Sequence, residues 1–534
     1  MKKKLTKLII MATLGCCSNS VIATDDPLFK EVDVIRSQNG VLITALTAAK
    51  SHNRIGDDNV HLRGYNGKLV GPTLRCRAGD LLDITLINKL QMHHGATLSM
   101  ATKQSMGVVP LMKQNEQDMY TVTNLHTHGL HVSPAGNSDN VLLIVLPGQS
   151  FNYEIKIPPD HPAGTFWYHA HVHGSTAVQV GSGMAGALII EGNIDEVPEI
   201  KAASEKIFLL QQPPYDEKGE IESRKDMSPG SWSKGKWLTL LSGNAQPEIK
   251  MFPGEVQRWR FIHSGPRESV RLSLEKHQLY EIAVDGLTTG RLDTKAELEL
   301  FPGYRSDVLI KAGLAGTYAL MDNNIQNNPN RSLLAKVIVE GPEKQMSLPS
   351  ESQLKLVEAF HPVIPDEELT GFQNVHLGID LRGAQYKLPL LFQIDNRSMG
   401  ALDSPRYVPL NGVEEWKVTT NLATHPFHIH VNPFLVTKVV TIKQEAVQNP
   451  DTKEWGVIER RIEDQDFKPT WHDTFAVSQG QEVYFRTRYT KYIGRFVLHC
   501  HILDHEDEGM MQLVEVLNNP IQHHEQGGDH SGHQ

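Results

Sequence analysis

Four His-x-His pairs carry the densest chemistry in this chain: His126/His128, His169/His171, His428/His430 and His499/His501, with His171/His173 overlapping the second. The 534 residues include 26 His, a frequency at which chance supplies roughly one such pair. Residues i and i+2 of a β-strand project to the same face, so each pair offers two imidazoles to one side. Neutral imidazole ligates copper, zinc, iron or nickel, so the histidines alone do not name the metal. Cys500 narrows the choice. It lies between His499 and His501, and on a strand its sulfur points to the opposite face from theirs. His505, Met510 and, from a separate segment, His425 in His425-Pro426-Phe427-His428-Ile429-His430 are further donors. Two His, one thiolate and a weak thioether form an electron-transfer copper set. The two faces of one tripeptide then hold two metal sites, with Cys500 as the connection. An isolated His is more often a satisfied core or surface residue, and His131, His161, His173, His263 and His472 are read so.

These donors sit on elements that recur along the chain. Residues 79–88, 254–263 and 412–421 share a turn followed by a strand; in the first, Leu82, Ile84 and Leu86 alternate with Asp83 and Thr85. A second echo starts at Gly164, Gly316 and Gly494, which follow their opening glycines, Gly79, Gly254 and Gly412, by 85, 62 and 82 residues. Three related β domains follow, the middle one trimmed. The His pairs fall in the first and third copies only, and the middle copy has Leu320-Met321 where the others carry His. Short strands bounded by Gly, Pro and Asn, with little 3.6-residue periodicity, predict an all-β chain of Greek-key sandwiches or barrels. Polar linkers are expected near 191–206 and 341–353.

Composition agrees with a large globular protein: 40% hydrophobic, 42 Gly, 29 Pro and four Cys exclude collagen-like, disordered and disulfide-built classes. Lys2, Lys3, Lys4 and Lys7 ahead of an apolar stretch over residues 8–17 predict a secretory leader cleaved after Ala23, hence a periplasmic or secreted protein. The alternative of a lipoprotein rests on Cys16 in a poor cleavage context. Past the leader no apolar run is long enough to span a bilayer. Net charge is −10, and loss of the leader's four Lys makes the remainder more acidic, which argues against nucleic acid as a partner. Cys76 reads as a small strand residue, and no disulfide with Cys500 is expected.

The segments His126-Thr127-His128-Gly129, Trp167-Tyr168-His169-Ala170-His171, His425-Pro426-Phe427-His428-Ile429-His430 and His499-Cys500-His501 through Met510 resemble the signature of bacterial three-domain multicopper oxidases. With the repeats, the likeness covers essentially the whole mature chain. It implies three cupredoxin-like domains, here at 24–195, 205–343 and 352–518, after a leader at 1–23 and before a His-rich tail at 519–534. It also implies four coppers. His425, Cys500 and His505, with Met510 axial, would hold a type 1 copper. His126 and His428 would hold a type 2 copper; His128, His169 and His501 would hold one type 3 copper, and His171, His430 and His499 the other. Ala170 stands in the first domain where Cys500 stands in the third, so only one copy keeps an electron-entry site. The implied reaction draws single electrons from a donor and reduces dioxygen to water, with Glu506 and Asp139 as the carboxylates that deliver protons. An axial Met510 implies a moderate potential.

The donor is less legible. A phenolic or related organic donor, as for laccases, is the first expectation; the second is Fe(II) or Cu(I), as for metallo-oxidases, with the protein a monomer in either case. Met92, Met100, Met106, Met112 and Met119, with His93 and His94, form an insertion that is either a Cu(I)-collecting loop or a loop packed by adaptable side chains. His523, His524, His530 and His533 in the tail bind metal weakly or not at all. Asp473 in Trp471-His472-Asp473-Thr474 is expected to fix a turn. A copper nitrite reductase needs no type 3 pair, and a non-enzymatic relative would have lost ligands, so both are disfavoured.

Overall fold

Alternating apolar residues build the strands, and Leu81–Asn88 is representative: Leu82, Ile84 and Leu86 are fully buried, while Leu81, Asp83, Thr85 and Ile87 stay partly exposed. The computed structural model describes residues 27–91, 116–221, 223–325, 329–357, 363–382, 391–397, 405–448 and 455–518. The leader, the Met-rich insertion before Glu116 and the His-rich tail lie outside the described residues. No described helix is long and apolar enough to cross a membrane.

Among the described residues, six sheets form three pairs. In the first unit a four-stranded sheet holds Val41–Ile55 and Leu81–Asn88, and a five-stranded sheet holds Ala185–Glu191, Gly164–His169 and His126–His128. Leu82 and Ile84 from one meet Leu188 and Ile190 from the other in a common core. The third unit repeats this with Gly371–Asp380 and Val413–Thr420 in one sheet and Met511–Leu517, Gly494–Cys500 and His425–Ile429 in the other. The middle unit does so with Ser204–Gln211 and Val256–His263 against Leu333–Val339 and Gly316–Asp322.

Each unit runs its opening strand parallel to an earlier, non-consecutive strand: Leu81–Asn88 with Val41–Ile55, Val256–His263 with Ser204–Gln211, and Val413–Thr420 with Gly371–Asp380. The three are therefore copies of one topology, the cupredoxin-like sandwich. Among the described residues the middle copy is not trimmed in its sheets, which have six and five strands against four and five in the first unit. Its shorter glycine-to-glycine spacing reflects shorter connections.

The two expected linkers are packed segments. Ile194, Val197 and Ile200 lie buried with Val256, Ile282, Leu309 and Leu354. Leu354 belongs to the short helix Glu351–Lys355, capped by Ser350. Apolar residues spaced among charged ones anchor both segments on the middle unit, which their overall polarity conceals. Cys76 is a buried strand residue and, like Cys500, a free thiol.

Close backbone approach joins the first and middle units. A Cβ added at Gly164 would sit 1.6 Å from the Gly286 carbonyl oxygen, whereas at the equivalent Gly316 the nearest atom is 3.4 Å away. Gly164→Ala is expected to cost about 3 kcal/mol by overpacking, and Gly316→Ala to stay within about 1 kcal/mol of neutral. Urea unfolding of the two variants checks this; equal stabilities would remove the contact from the account.

Candidate metal centre

Strand register assembles the histidines within each unit. His126–His128 pairs antiparallel with Gly164–His169, setting His126 opposite His169. In the third unit His425–Ile429 pairs with Gly494–Cys500, setting His428 opposite His499 and Phe427 opposite Cys500. The two arrangements then face each other. The His126 ring stacks on His430 at 3.8 Å between centroids, and His128 on His428 at 3.9 Å. His499 Nε2 lies 3.2 Å from His171 Nε2 and 3.3 Å from His430 Nε2. His501 closes the group, 5.0 Å from His128 and 5.8 Å from His169 between centroids. All eight imidazoles are buried, none more than 2% exposed.

Burial, followed by the neighbouring imidazoles, holds His126, His430, His499 and His501 well below the ordinary histidine range. Burial takes His171 and His428 to about 4. The rings are therefore neutral, each with one N–H and one lone pair. The N–H groups point outward. His126 Nδ1 donates to Asp139 at 3.0 Å, His169 Nδ1 to the Ala170 carbonyl at 2.9 Å, His428 Nδ1 to the Asp473 carbonyl at 2.7 Å and His499 Nδ1 to the Cys500 carbonyl at 2.9 Å. The other nitrogens of His126, His169 and His428, all Nε2, are buried without a hydrogen-bond partner. His128 is the reverse: Nε2 donates to Asp473 Oδ1 at 3.0 Å, and Nδ1 is the orphan. Buried nitrogens lacking partners are costly, and lone pairs aimed at one another fit a cation between them. The triads His171/His430/His499 and His126/His128/His169 each bring their donor atoms within 4.8 Å of one another.

The second face of the 499–501 segment behaves as the alternation requires. Cys500 Sγ lies 3.4 Å from His425 Nδ1 and 3.9 Å from His505 Nδ1, and the two Nδ1 atoms are 3.3 Å apart. Met510 is fully buried and tied to this turn: its N–H donates to the His505 carbonyl at 2.9 Å, and its own carbonyl accepts from Cys500 N–H at 3.1 Å. Burial pushes the Cys500 thiol well up and takes His425 down to about 4, so a thiolate here needs a bound cation.

Both sequence-expected carboxylates line the histidine cluster. Asp139 accepts from His126 and from Thr127 N–H at 2.9 Å, and burial lifts it to about 7. Glu506 is fully buried, its oxygens 3.2 Å from His499 Nδ1 and 3.6 Å from His171 Nδ1. Burial first, then the Asp507 carboxyl, raises it well above the carboxylate range. Asp507 itself, at about 6, accepts from the Gly174 and Ala177 N–H groups at 2.6 and 2.8 Å.

His131, His161, His173, His263 and His472 lie outside every described group of candidate metal donors. Asp473 sits at a bend, as expected, but its side chain does far more than fix one. It accepts from His128 and from both terminal nitrogens of Arg305. Arg305, Asp285, Thr474 and Asp507 went unread in the sequence. The available signal was a charged Arg305-Ser306-Asp307 run inside a strand whose burial is complete up to Ile310.

Three family models, each described as Multicopper oxidase, match residues 108–194, 215–342 and 381–520. A multicopper oxidase of Staphylococcus haemolyticus is 24% identical over 512 residues, 94% of each chain. A Bacillus subtilis laccase is 23% identical, covering 86% of this chain and 90% of its own. Among solved structures, a Campylobacter jejuni multicopper oxidase described as a metallo-oxidase gives a TM-score of 0.68 at 23% identity, over 92% of this chain and 95% of that one. A Pediococcus acidilactici laccase gives 0.69 at 20%, over 92% and 94%. With its three successive matches laid over three cupredoxin-like sheet pairs, the chain belongs to the multicopper oxidases, which are copper-dependent oxidoreductases.

Proposed function

We propose that this multicopper oxidase couples one-electron oxidation of a donor to four-electron reduction of dioxygen, and that it holds four coppers. The observation that carries the reading is the pair of buried donor sets on opposite faces of His499-Cys500-His501. His425, Cys500, His505 and Met510 would hold type 1 copper. His126 and His428 would hold type 2; His128, His169 and His501 would hold one type 3 ion, and His171, His430 and His499 the other. Copper bound in these sets supplies the one-electron chemistry that ordinary side chains lack. The domains are taken as 24–195, 205–343 and 352–518. A leader at 1–23, a periplasmic or secreted location and a monomeric state belong to the same reading.

The chain's own residues then divide the work. Cys500 joins the two donor sets covalently, its thiolate among His425 and His505 and its flanking imidazoles in the other set. Asp139 orients His126 and holds a proton near neutrality, where burial has moved it. Glu506 keeps a second proton at a buried carboxyl between His171 and His499. Burial of all eight imidazoles excludes bulk water.

For the donor, the laccase-like reading with phenolic or related organic compounds has the support of the laccases among the relatives. A specific observation favours the second reading, Fe(II) or Cu(I). His425 has no exposed surface, and His505 is 5% exposed beneath Phe392, whose ring stacks on it at 4.3 Å. Neither imidazole presents an edge to a bulky aromatic donor. Steady-state kcat/KM for a phenol, Fe(II) and Cu(I) on one preparation decides between them: a metal ion preferred by tenfold or more supports the second reading, and a preferred phenol the first.

Cys500→Ser is expected to remove the blue absorption and donor oxidation while circular dichroism and solubility stay unchanged; retained turnover would sink the proposed connection. Asp139→Asn and Glu506→Gln are expected to slow oxygen reduction by about 10²-fold or more while anaerobic reduction of the blue copper by donor stays fast. Stopped-flow absorption separates the two half-reactions.

A further inference from the structure

The middle unit supplies no donor to either set, yet it reaches the centre of the molecule through Arg305. This side chain is fully buried and touches all three units. Its Nε donates to the Thr165 carbonyl of the first unit at 3.2 Å; its Nη2 donates to the Asp285 carbonyl of the middle unit at 2.7 Å. Both terminal nitrogens grip the carboxylate of Asp473 in the third unit, Nη1 at 2.7 Å from Oδ1. Asp285 braces the same bend from below. Its Oδ2 accepts from His472 Nδ1 at 2.9 Å and from the Asp473 and Thr474 N–H groups at 3.3 and 3.4 Å. There is no slack around this network. Gly129 has φ +87° and a Cβ there would meet Arg305 Nη2 at 2.5 Å and Asp473 Oδ2 at 2.6 Å. At Gly303, φ +92°, a Cβ would meet the His501 ring at 2.9 Å.

We propose that Arg305 and Asp285 are positioning residues for the trinuclear histidines, acting through Asp473 to fix which nitrogen of His128 carries the proton and how His428 is turned. This rests on the oxidase reading above. Asp473 holds a histidine from each outer unit, as its neighbour Thr474 does through Oγ1: the Asp473 carboxylate takes His128 Nε2–H and its carbonyl takes His428 Nδ1–H. A neutral imidazole has a single N–H, so an acceptor at Nε2 assigns the lone pair to Nδ1, opposite to His126, His169 and His428. The second acceptor at His128 Nε2, Thr474 Oγ1 at 3.2 Å, itself donates to Asp473 Oδ1 at 2.8 Å, so the pinned carboxylate anchors both acceptors of this N–H. The planar guanidinium suits the task because two parallel N–H groups fix the carboxylate plane, which a lysine ammonium does not.

The test uses copper-loaded Asp473→Asn and Arg305→Lys, with Arg258→Lys as a control. Arg258 is another buried middle-unit arginine, paired with Asp307 and Asp195 away from the histidines. Asp473→Asn and Arg305→Lys are expected to weaken copper binding to the trinuclear set about 10- to 100-fold. That appears as altered type 2 electron paramagnetic resonance parameters and sub-stoichiometric copper, while the blue absorption of the Cys500 site persists. Arg258→Lys is expected to lower thermal stability at most, with an unchanged spectrum. Wild-type copper content and type 2 spectrum in both Asp473→Asn and Arg305→Lys would overturn the proposal. So would equal loss of blue and type 2 signals in all three variants, the mark of a general structural role. An unaltered parent protein that binds no copper would instead overturn the oxidase reading.

Discussion

A β-strand turns successive side chains to opposite faces, and at residues 499–501 that geometry obliges one short segment to border two buried donor sets. Much of the third unit follows from it. Strand Gly494–Cys500 has to be interior to its sheet, and its two neighbours are Met511–Leu517 and His425–Ile429. The first begins just after Met510, and the second carries His425 and His428. Adjacent strands thus deliver every donor of the Cys500 set except His505, which arrives on the short helix Leu503–Asp507 immediately downstream.

The histidine cluster has an energetic consequence for the fold. In His126, His128, His169 and His428 the outward ring nitrogen is satisfied by a carbonyl or a carboxylate, and the inward one is not. Each buried nitrogen without a partner costs about 1–3 kcal/mol. A cation that meets the inward lone pairs stabilises the folded state in proportion to its affinity, so metal loading and folding are linked. The thiol repeats the theme: buried among apolar side chains, it ionises only against a positive charge.

The ionic seam around the middle unit is the counterpart of that cluster. Arg258 and Arg260 share Asp307 Oδ2 at 2.6 and 2.9 Å, and Thr165 of the first unit donates to the other oxygen of Asp307 at 2.6 Å. Buried charges of this kind contribute little net stability, because desolvation offsets their attraction. What they fix is relative placement. Units joined only by apolar surface can slide, whereas these buried ion pairs hold the middle unit to the first at set distances.

Residue type and spacing alone determined much of this protein. The three repeats, the strand character of Leu81–Asn88 and Gly494–Cys500, the His-x-His pairs and the opposed faces around Cys500 all follow from period-2 geometry, a local property of the chain. Glu506, directly after His505, and Asp139, in the loop after the first His pair, were legible through the family resemblance rather than through spacing. Tertiary structure decided what joins residues remote in sequence: the stacking of His126 on His430, the reversed tautomer of His128, and the grip of Arg305 on Asp473. It also decided that the connecting segments are packed and that the middle unit keeps full sheets. No local pattern encodes such contacts, since an arginine's partner across 168 residues is set by how three sandwiches pack.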